Sequence, residues 1–152
     1  MDAKDLIGKE IMELRCKLCS VDSNASIPLE KMKIEMMLTT GVLVSFPSHP
    51  KAKNIGLRKF SSKLKQVFPK NKLLIGFSKP SSVERCKQIP IVSLWSIEDD
   101  FASEFCSIEF DNGLFLTGRP ISPVGVGGAE LFLFPSVVHL ENNYFNGPRK
   151  IY

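Results

Sequence analysis

The sequence predicts an α+β domain built mainly from antiparallel β-hairpins with one amphipathic helix. Three observations carry that reading. Apolar and polar residues alternate over several short stretches, Gly41 and Gly113 each stand between two such stretches, and one segment, 54–68, changes to a helical period.

The first alternating stretch is Met12-Glu13-Leu14-Arg15-Cys16-Lys17-Leu18, whose period of two buries one strand face. Ile34, Met36 and Leu38 alternate next, Thr39-Thr40-Gly41 turns, and Val42, Val44 and Phe46 return, which predicts a hairpin closed by Pro47 and Pro50. From Asn54, read as a cap, Leu57, Phe60, Leu64 and Val67 form the apolar stripe of a helix that Pro69 stops. Leu73 to Phe77 reads as a buried strand, and Pro80-Ser81-Ser82 opens a helical turn through Cys86. Pro90 to Ile97 is strand-like, and Cys106, Ile108 and Phe110 alternate into Asp111-Asn112-Gly113, where Asn-Gly predicts a tight turn with positive φ angles. Leu114 and Leu116 then return alongside. Leu131 to Phe134 and Val137 to Leu140 read as a strand and its continuation around Pro135, and the chain from Asn142 onwards reads as surface.

Aligning Gly41 with Gly113 superposes Ile34, Met36 and Leu38 on Cys106, Ile108 and Phe110, and Val42 and Val44 on Leu114 and Leu116. Upstream, Lys9-Glu10-Ile11 is matched with Lys87-Gln88-Ile89. Two readings stand: a two-fold internal repeat with half-repeats 7–46 and 87–118 and a basic helical insertion at 51–79, or two unrelated hairpins whose glycines coincide. At 152 residues the chain has the size of one domain, 1–152.

Charge is segregated along the chain. Lys51, Lys53, Arg58, Lys59, Lys63, Lys65, Lys70, Lys72 and Lys79 fall in one segment without Asp or Glu, whereas Glu98, Asp99, Asp100, Glu104, Glu109 and Asp111 fall in another without Lys or Arg. Nine cations with no anion among them repel one another unless something compensates, so an electrostatically directed partner is expected. Lys59, Lys63 and Lys65 are the candidate contacts on the basic side, and Glu98, Asp99, Asp100 and Glu104 those on the acidic side.

Catalytic signatures are sparse. Cys16-Lys17-Leu18-Cys19 has the spacing of redox and zinc sites, yet its cysteines fall on opposite faces of a strand and no second close pair completes a ligand set. His49 reads as a loop residue and His139 as a packed core residue. Gly125-Val126-Gly127-Gly128 lacks the Gly-Lys-Ser/Thr ending of a phosphate loop and precedes a strand-like run. No metal site, cofactor or catalytic residue is expected, and the chain is read as non-enzymatic. No stretch reaches the roughly 18 consecutive apolar residues of a membrane span, and the polar opening Met1-Asp2-Ala3-Lys4-Asp5 does not fit a signal peptide. A cytoplasmic location with reduced thiols is therefore expected.

The opening Leu6-Ile7-Gly8-Lys9-Glu10-Ile11 and the hairpin Ile108-Glu109-Phe110-Asp111-Asn112-Gly113-Leu114-Phe115-Leu116 carry a resemblance. With the small α+β plan and the segregated charge, the chain resembles the immunity proteins of bacterial contact-dependent or polymorphic toxin systems. The resemblance covers about a tenth of the chain and implies stoichiometric neutralisation of a cognate toxin domain, often a nuclease. Its net charge of +4 departs from the acidic character of inhibitors of nucleic-acid-cleaving toxins. The other function class that the basic 51–79 segment supports is a nucleic-acid-binding module, with Phe60, Phe68 or Phe77 for stacking.

Overall fold

The structure, a computed structural model, describes residues 1–18, 32–59, 84–98, 104–121, 128–144 and 146–152. Its arrangement is α+β and mostly strands. A 3-10 turn at Ala3–Leu6 leads into strand β1 (Ile11–Leu18), followed by β2 (Met32–Leu38), β3 (Val42–Ser45) and β4 (Leu57–Lys59). A second 3-10 turn, Glu84–Cys86, leads into β5 (Ile91–Glu98), β6 (Glu104–Phe110), β7 (Phe115–Ile121) and β8 (Gly128–Phe134). Helix α1 (Val137–Asn143) and the short strand β9 (Arg149–Lys150) end the chain. All pairings are antiparallel, in a four-stranded sheet β1-β2-β3-β4 and a five-stranded sheet β8-β7-β6-β5-β9.

The two ladders share one register. Ile11 pairs with Leu38 as Ile91 does with Phe110, Leu14 with Met36 as Leu94 with Ile108, and Leu18 with Met32 as Glu98 with Glu104. Met36 pairs with Val44 as Ile108 with Leu116, and Val44 with Leu57 as Leu116 with Leu133. Each first strand carries a register shift at the same place, between Ile11 and Glu13 and between Ile91 and Ser93. The extra residue is extruded, so Met12 is 43% and Val92 38% exposed. The matched partner of Ile11 is thus Ile91, two residues beyond the Ile89 that the sequence alignment selects.

The turns match as well. Gly41 N–H donates to the Leu38 carbonyl and Gly113 N–H to that of Phe110, both at 2.9 Å, with φ of 78° and 80° at the two glycines. Asn112 keeps a negative φ. The Asp111-Asn112-Gly113 connection is therefore a three-residue turn with one left-handed glycine, and not the two-residue turn that Asn-Gly predicts. Positive φ without glycine costs about 1–2 kcal/mol, which explains the glycine at both sites.

The sheets meet where β1 and β5 begin. Glu10 and Pro90 form an antiparallel bridge, Gly8 N–H donates to the Ile91 carbonyl at 2.8 Å, and Gln88 N–H donates to that of Ile11 at 2.8 Å. Both donors have positive φ, 78° at Gly8 and 58° at Gln88. Thr39 N–H reaches the Glu10 carbonyl as Asp111 N–H reaches that of Pro90. The Gly8 and Gln88 hydrogen bonds are thus reciprocal across the Glu10–Pro90 bridge.

One shared core fills the space between the sheets. Met36, Leu38 and Val44 pack with Leu94, Ile108, Phe110 and Leu116, joined by Leu6, Ile11 and Ile91. A second cluster, Ile97, Phe105, Phe115, Leu140 and Tyr144, lies under α1 on the opposite face of the five-stranded sheet. Covering on both faces is why Phe105, Cys106, Ser107 and Ile108 are all buried in succession along β6.

Several expectations are corrected. Leu57–Lys59, read as the first turn of the 54–68 helix, forms β4, because Leu57 completes the ladder opposite Val44. Asn54 is no helix cap: it has φ 55° and its N–H points to Asp2 Oδ1 at 3.4 Å. The rest of that predicted helix and the strand Leu73–Phe77 lie outside the described residues. Val137 to Asn143, expected to begin as strand, is helix, since Ser136 caps it by accepting from His139 N–H and Leu140 is drawn into the second cluster. The C-terminal segment, expected at the surface, is exposed at Arg149 and Lys150 and is tied to the edge of the sheet there as β9.

Candidate functional site

Two of the acidic candidates, Glu98 and Glu104, meet at one end of the β5–β6 hairpin. Glu98 and Glu104 are direct register partners, which sets two carboxylates opposite each other, an unfavourable cross-strand pair unless cations compensate. Asp99 and Asp100 belong to the connection between these strands and lie outside the described residues.

Compensation reaches Glu104 from two distant segments. Arg149 Nη2 donates to Glu104 Oε1 at 2.7 Å, and His49 Nε2 lies 3.0 Å from Oε2. Ser96 Oγ donates to Oε1 at 3.3 Å. Lys51 N–H donates to His49 Nδ1 at 3.0 Å, so Nδ1 acts as acceptor and the donating proton sits on Nε2. The His49 hydrogen bond holds the Glu104 carboxyl below its ordinary range, with desolvation opposing it; the Arg149 charge and the Ser96 hydroxyl lower it further. Glu104, expected to serve a partner, is therefore engaged within the chain, linking the β3–β4 connection to β6 and β9. It remains 40% exposed at its side chain.

A second polar group occupies the α1 side of the same sheet. Ser93 Oγ donates to Glu109 Oε2, and Trp95 Nε1 lies 2.8 Å from both that oxygen and Ser93 Oγ. The Trp95 ring meets Phe115 edge to face with centroids 5.5 Å apart. Beside them, the buried hydroxyls of Ser107 and Thr117 bond each other at 2.7 Å. Two donors on one carboxylate oxygen fix Glu109 and satisfy a part-buried charge, as a carboxylate in a sheet interior requires. Glu109 was legible in the sequence only as one acid of an acidic run; the role of Trp95 and Ser93 rests on a register that the sequence does not print.

The basic candidates are less gathered. Lys59 ends β4 opposite Val42, whereas Lys63 and Lys65 lie outside the described residues. Of the thiols, Cys86 and Cys106 are free and buried, and burial pushes each up to about 12, only weakly countered at Cys86 by Arg85. Both are thiols and not thiolates at neutral pH, which deprives them of nucleophilic character. His139, expected in the core, is exposed on α1, with Nδ1 2.8 Å from Ser136 Oγ. The Gly125-Val126-Gly127 run lies outside the described residues, and Gly128 opens β8. Among the described residues, no three His, Cys, Asp or Glu side chains gather as a metal site, and no helix is long and apolar enough to cross a membrane.

Family models, curated proteins and solved structures give no match to this chain.

Proposed function

We propose that this protein is a non-catalytic protein-binding inhibitor, an immunity protein that neutralises a cognate bacterial toxin domain by stoichiometric binding in the cytoplasm. The observation that carries the reading is the segregation of charge: six acidic residues without a cation between Trp95 and Gly113, against nine cations without an acid between Lys51 and Lys79. The register supports it by setting Glu98 opposite Glu104 at one hairpin end, with Asp99 and Asp100 in the intervening connection. Such an end suits a basic surface, for example the substrate cleft of a nuclease, where complementary charge raises the association rate and fixes orientation.

Co-expression with the product of the adjacent gene tests this directly. The expected outcome is a 1:1 complex and relief of toxicity, with affinity lowered at least tenfold, about 1.4 kcal/mol, when Glu98, Asp99 and Asp100 are replaced together by Lys. An unchanged affinity removes the acidic end from the interface. The basic 51–79 segment supports a nucleic-acid-binding module as the alternative, and a shift of labelled RNA or DNA that weakens steeply with salt, without any protein complex, would replace the inhibitor reading by it.

A further inference from the structure

The face of the five-stranded sheet that carries α1 changes character along its length. Under the helix it is apolar, with Ile97, Phe105 and Phe115 packed against Leu140 and Tyr144. Further along the same face it turns polar: Trp95 stands opposite Ser107, Ser107 opposite Thr117, and Ser93 opposite Glu109. Ser93, Ser107 and Thr117 are fully buried, whereas the side chains of Trp95 and Glu109 are half-buried and reach solvent. Polar groups in a sheet interior lower stability unless they are bonded, and proteins retain them where they serve a site.

Bonding around Glu109 is one-sided. Ser93 Oγ and Trp95 Nε1 both donate to Oε2, which uses the two lone-pair directions of that oxygen. Among the described residues Oε1 accepts no hydrogen bond and no cation pairs with the carboxylate. Lys150 shares the face, opposite Trp95 on β9, but it is exposed and makes no ion pair with Glu109. A carboxylate fixed through one oxygen presents the other, preorganised, to a cation from outside. We propose that Glu109 Oε1, beside the solvent-reaching part of Trp95, receives the ammonium of a lysine side chain of the partner protein. The proposal rests on the protein-binding reading above and adds an anchor to it on the α1 face.

The occupied Oε2 selects among cations. A guanidinium binds a carboxylate best through two parallel hydrogen bonds, one to each oxygen, and here that fork is closed. An ammonium is a compact point donor for which one oxygen suffices, and the methylene stem of lysine packs along apolar surface such as the indole beside the carboxylate. The same negative charge repels phosphate, so a nucleic acid does not occupy this site.

Trp95 is the only tryptophan of the chain, and its indole N–H is bonded to the carboxylate in question, so the NMR resonance of that proton reports on the site. The test titrates the acetylated, amidated tripeptide Ala-Lys-Ala into the protein, with the tripeptides carrying arginine or norleucine at the centre in parallel. The expected result is a saturable shift of the indole resonance with the lysine peptide, weaker binding of the arginine peptide and none of the norleucine peptide. Glu109→Gln keeps an oxygen for Ser93 and Trp95 and should lower the affinity for the lysine peptide about tenfold. Glu141→Gln removes an exposed charge of α1 and should leave that affinity unchanged. Absence of a saturable shift in the parent protein, arginine binding as tightly as lysine, or an affinity unmoved by Glu109→Gln overturns the proposal. So does a shift of the same resonance on adding single-stranded DNA. The comparison of the three peptides on the parent protein decides the matter even where Glu109→Gln does not fold. A toxin bound 1:1 with an affinity that Glu109→Gln leaves unchanged overturns the anchor alone, whereas lysine-peptide binding by a protein that binds no toxin overturns the inhibitor reading alone.

Discussion

The first and second halves of the chain build the same ladder from different side chains. Where the second half has Ile97 opposite Phe105 and Trp95 opposite Ser107, the first has Lys17 opposite Lys33 and Arg15 opposite Glu35. Backbone geometry is nevertheless matched through the bulge, the three-residue turn and the fourth strand. The difference teaches that register here is set by the turn glycine and by the face turned to the shared core, where Leu38 and Phe110 or Met36 and Ile108 are interchangeable in kind. Side chains on the other face are free to diverge, and they do: in the second half they gather under α1, and in the first they carry charge.

Truncation in the core tests the equivalence most severely. Phe110 and Leu38 are matched positions, both buried in one cluster. Phe110→Ala should cost about 3–5 kcal/mol and Leu38→Ala about 2–5 kcal/mol. Urea titration followed by far-UV circular dichroism and by Trp95 fluorescence should give coincident transitions in each variant, since the core belongs to both sheets. Two separated transitions would show that the halves are independent units.

A smaller effect distinguishes the two junction residues. Gly8 and Gln88 stand at matched positions with positive φ, and only one is glycine. Gln88→Gly should raise stability by up to about 1 kcal/mol, the left-handed strain of about 1–2 kcal/mol being partly offset by the extra chain entropy of glycine. Gly8→Gln should lower it by about 1 kcal/mol, through backbone strain alone, because no atom lies within 4 Å of a Cβ built there. Opposite signs in thermal melts are the expected outcome; equal signs would break the equivalence.

The smallest effect concerns the ion pairs of Glu104 with His49 and Arg149. The Glu104 carboxyl titrates below its ordinary range, near 4.3 in an unfolded chain. Its contribution to stability is therefore complete above that ordinary value and is lost as pH falls through the folded one. Glu104→Gln should be less stable than the parent at pH 6 to 7, with the gap closing as the medium is acidified below about pH 4. Urea midpoints measured across that range read the gap directly, and a gap that widens in acid would contradict the assignment.

The β-hairpins were legible in the sequence because alternation and turn glycines act over a few residues. The seven-residue helix α1 was not, since Val137-Val138-His139-Leu140 has strand-forming composition and becomes helical only because Ser136 caps it and Leu140 finds Phe105 and Phe115 beneath. The role of Glu104 was equally hidden: its acidity was plain, but His49 lies 55 and Arg149 45 positions away in sequence. Of the binding candidates, the register joins Glu98 with Glu104 and puts Lys59 in β4, while Asp99, Asp100, Lys63 and Lys65 lie outside the described residues.

What the sequence by itself determined is where β2, β3, β6 and β7 run and which of their alternating residues, such as Met36, Val44, Ile108 and Leu116, turn to the shared core, because side-chain periodicity is a local property of the extended backbone. Tertiary structure alone decided the close match of the two ladders, the bridge at Glu10 and Pro90, the covering of β5 by β9, and the neutralisation of Glu104. These depend on which distant backbones meet, and that is selected by one shared apolar core and the satisfaction of main-chain hydrogen bonds, not by any short run of residues.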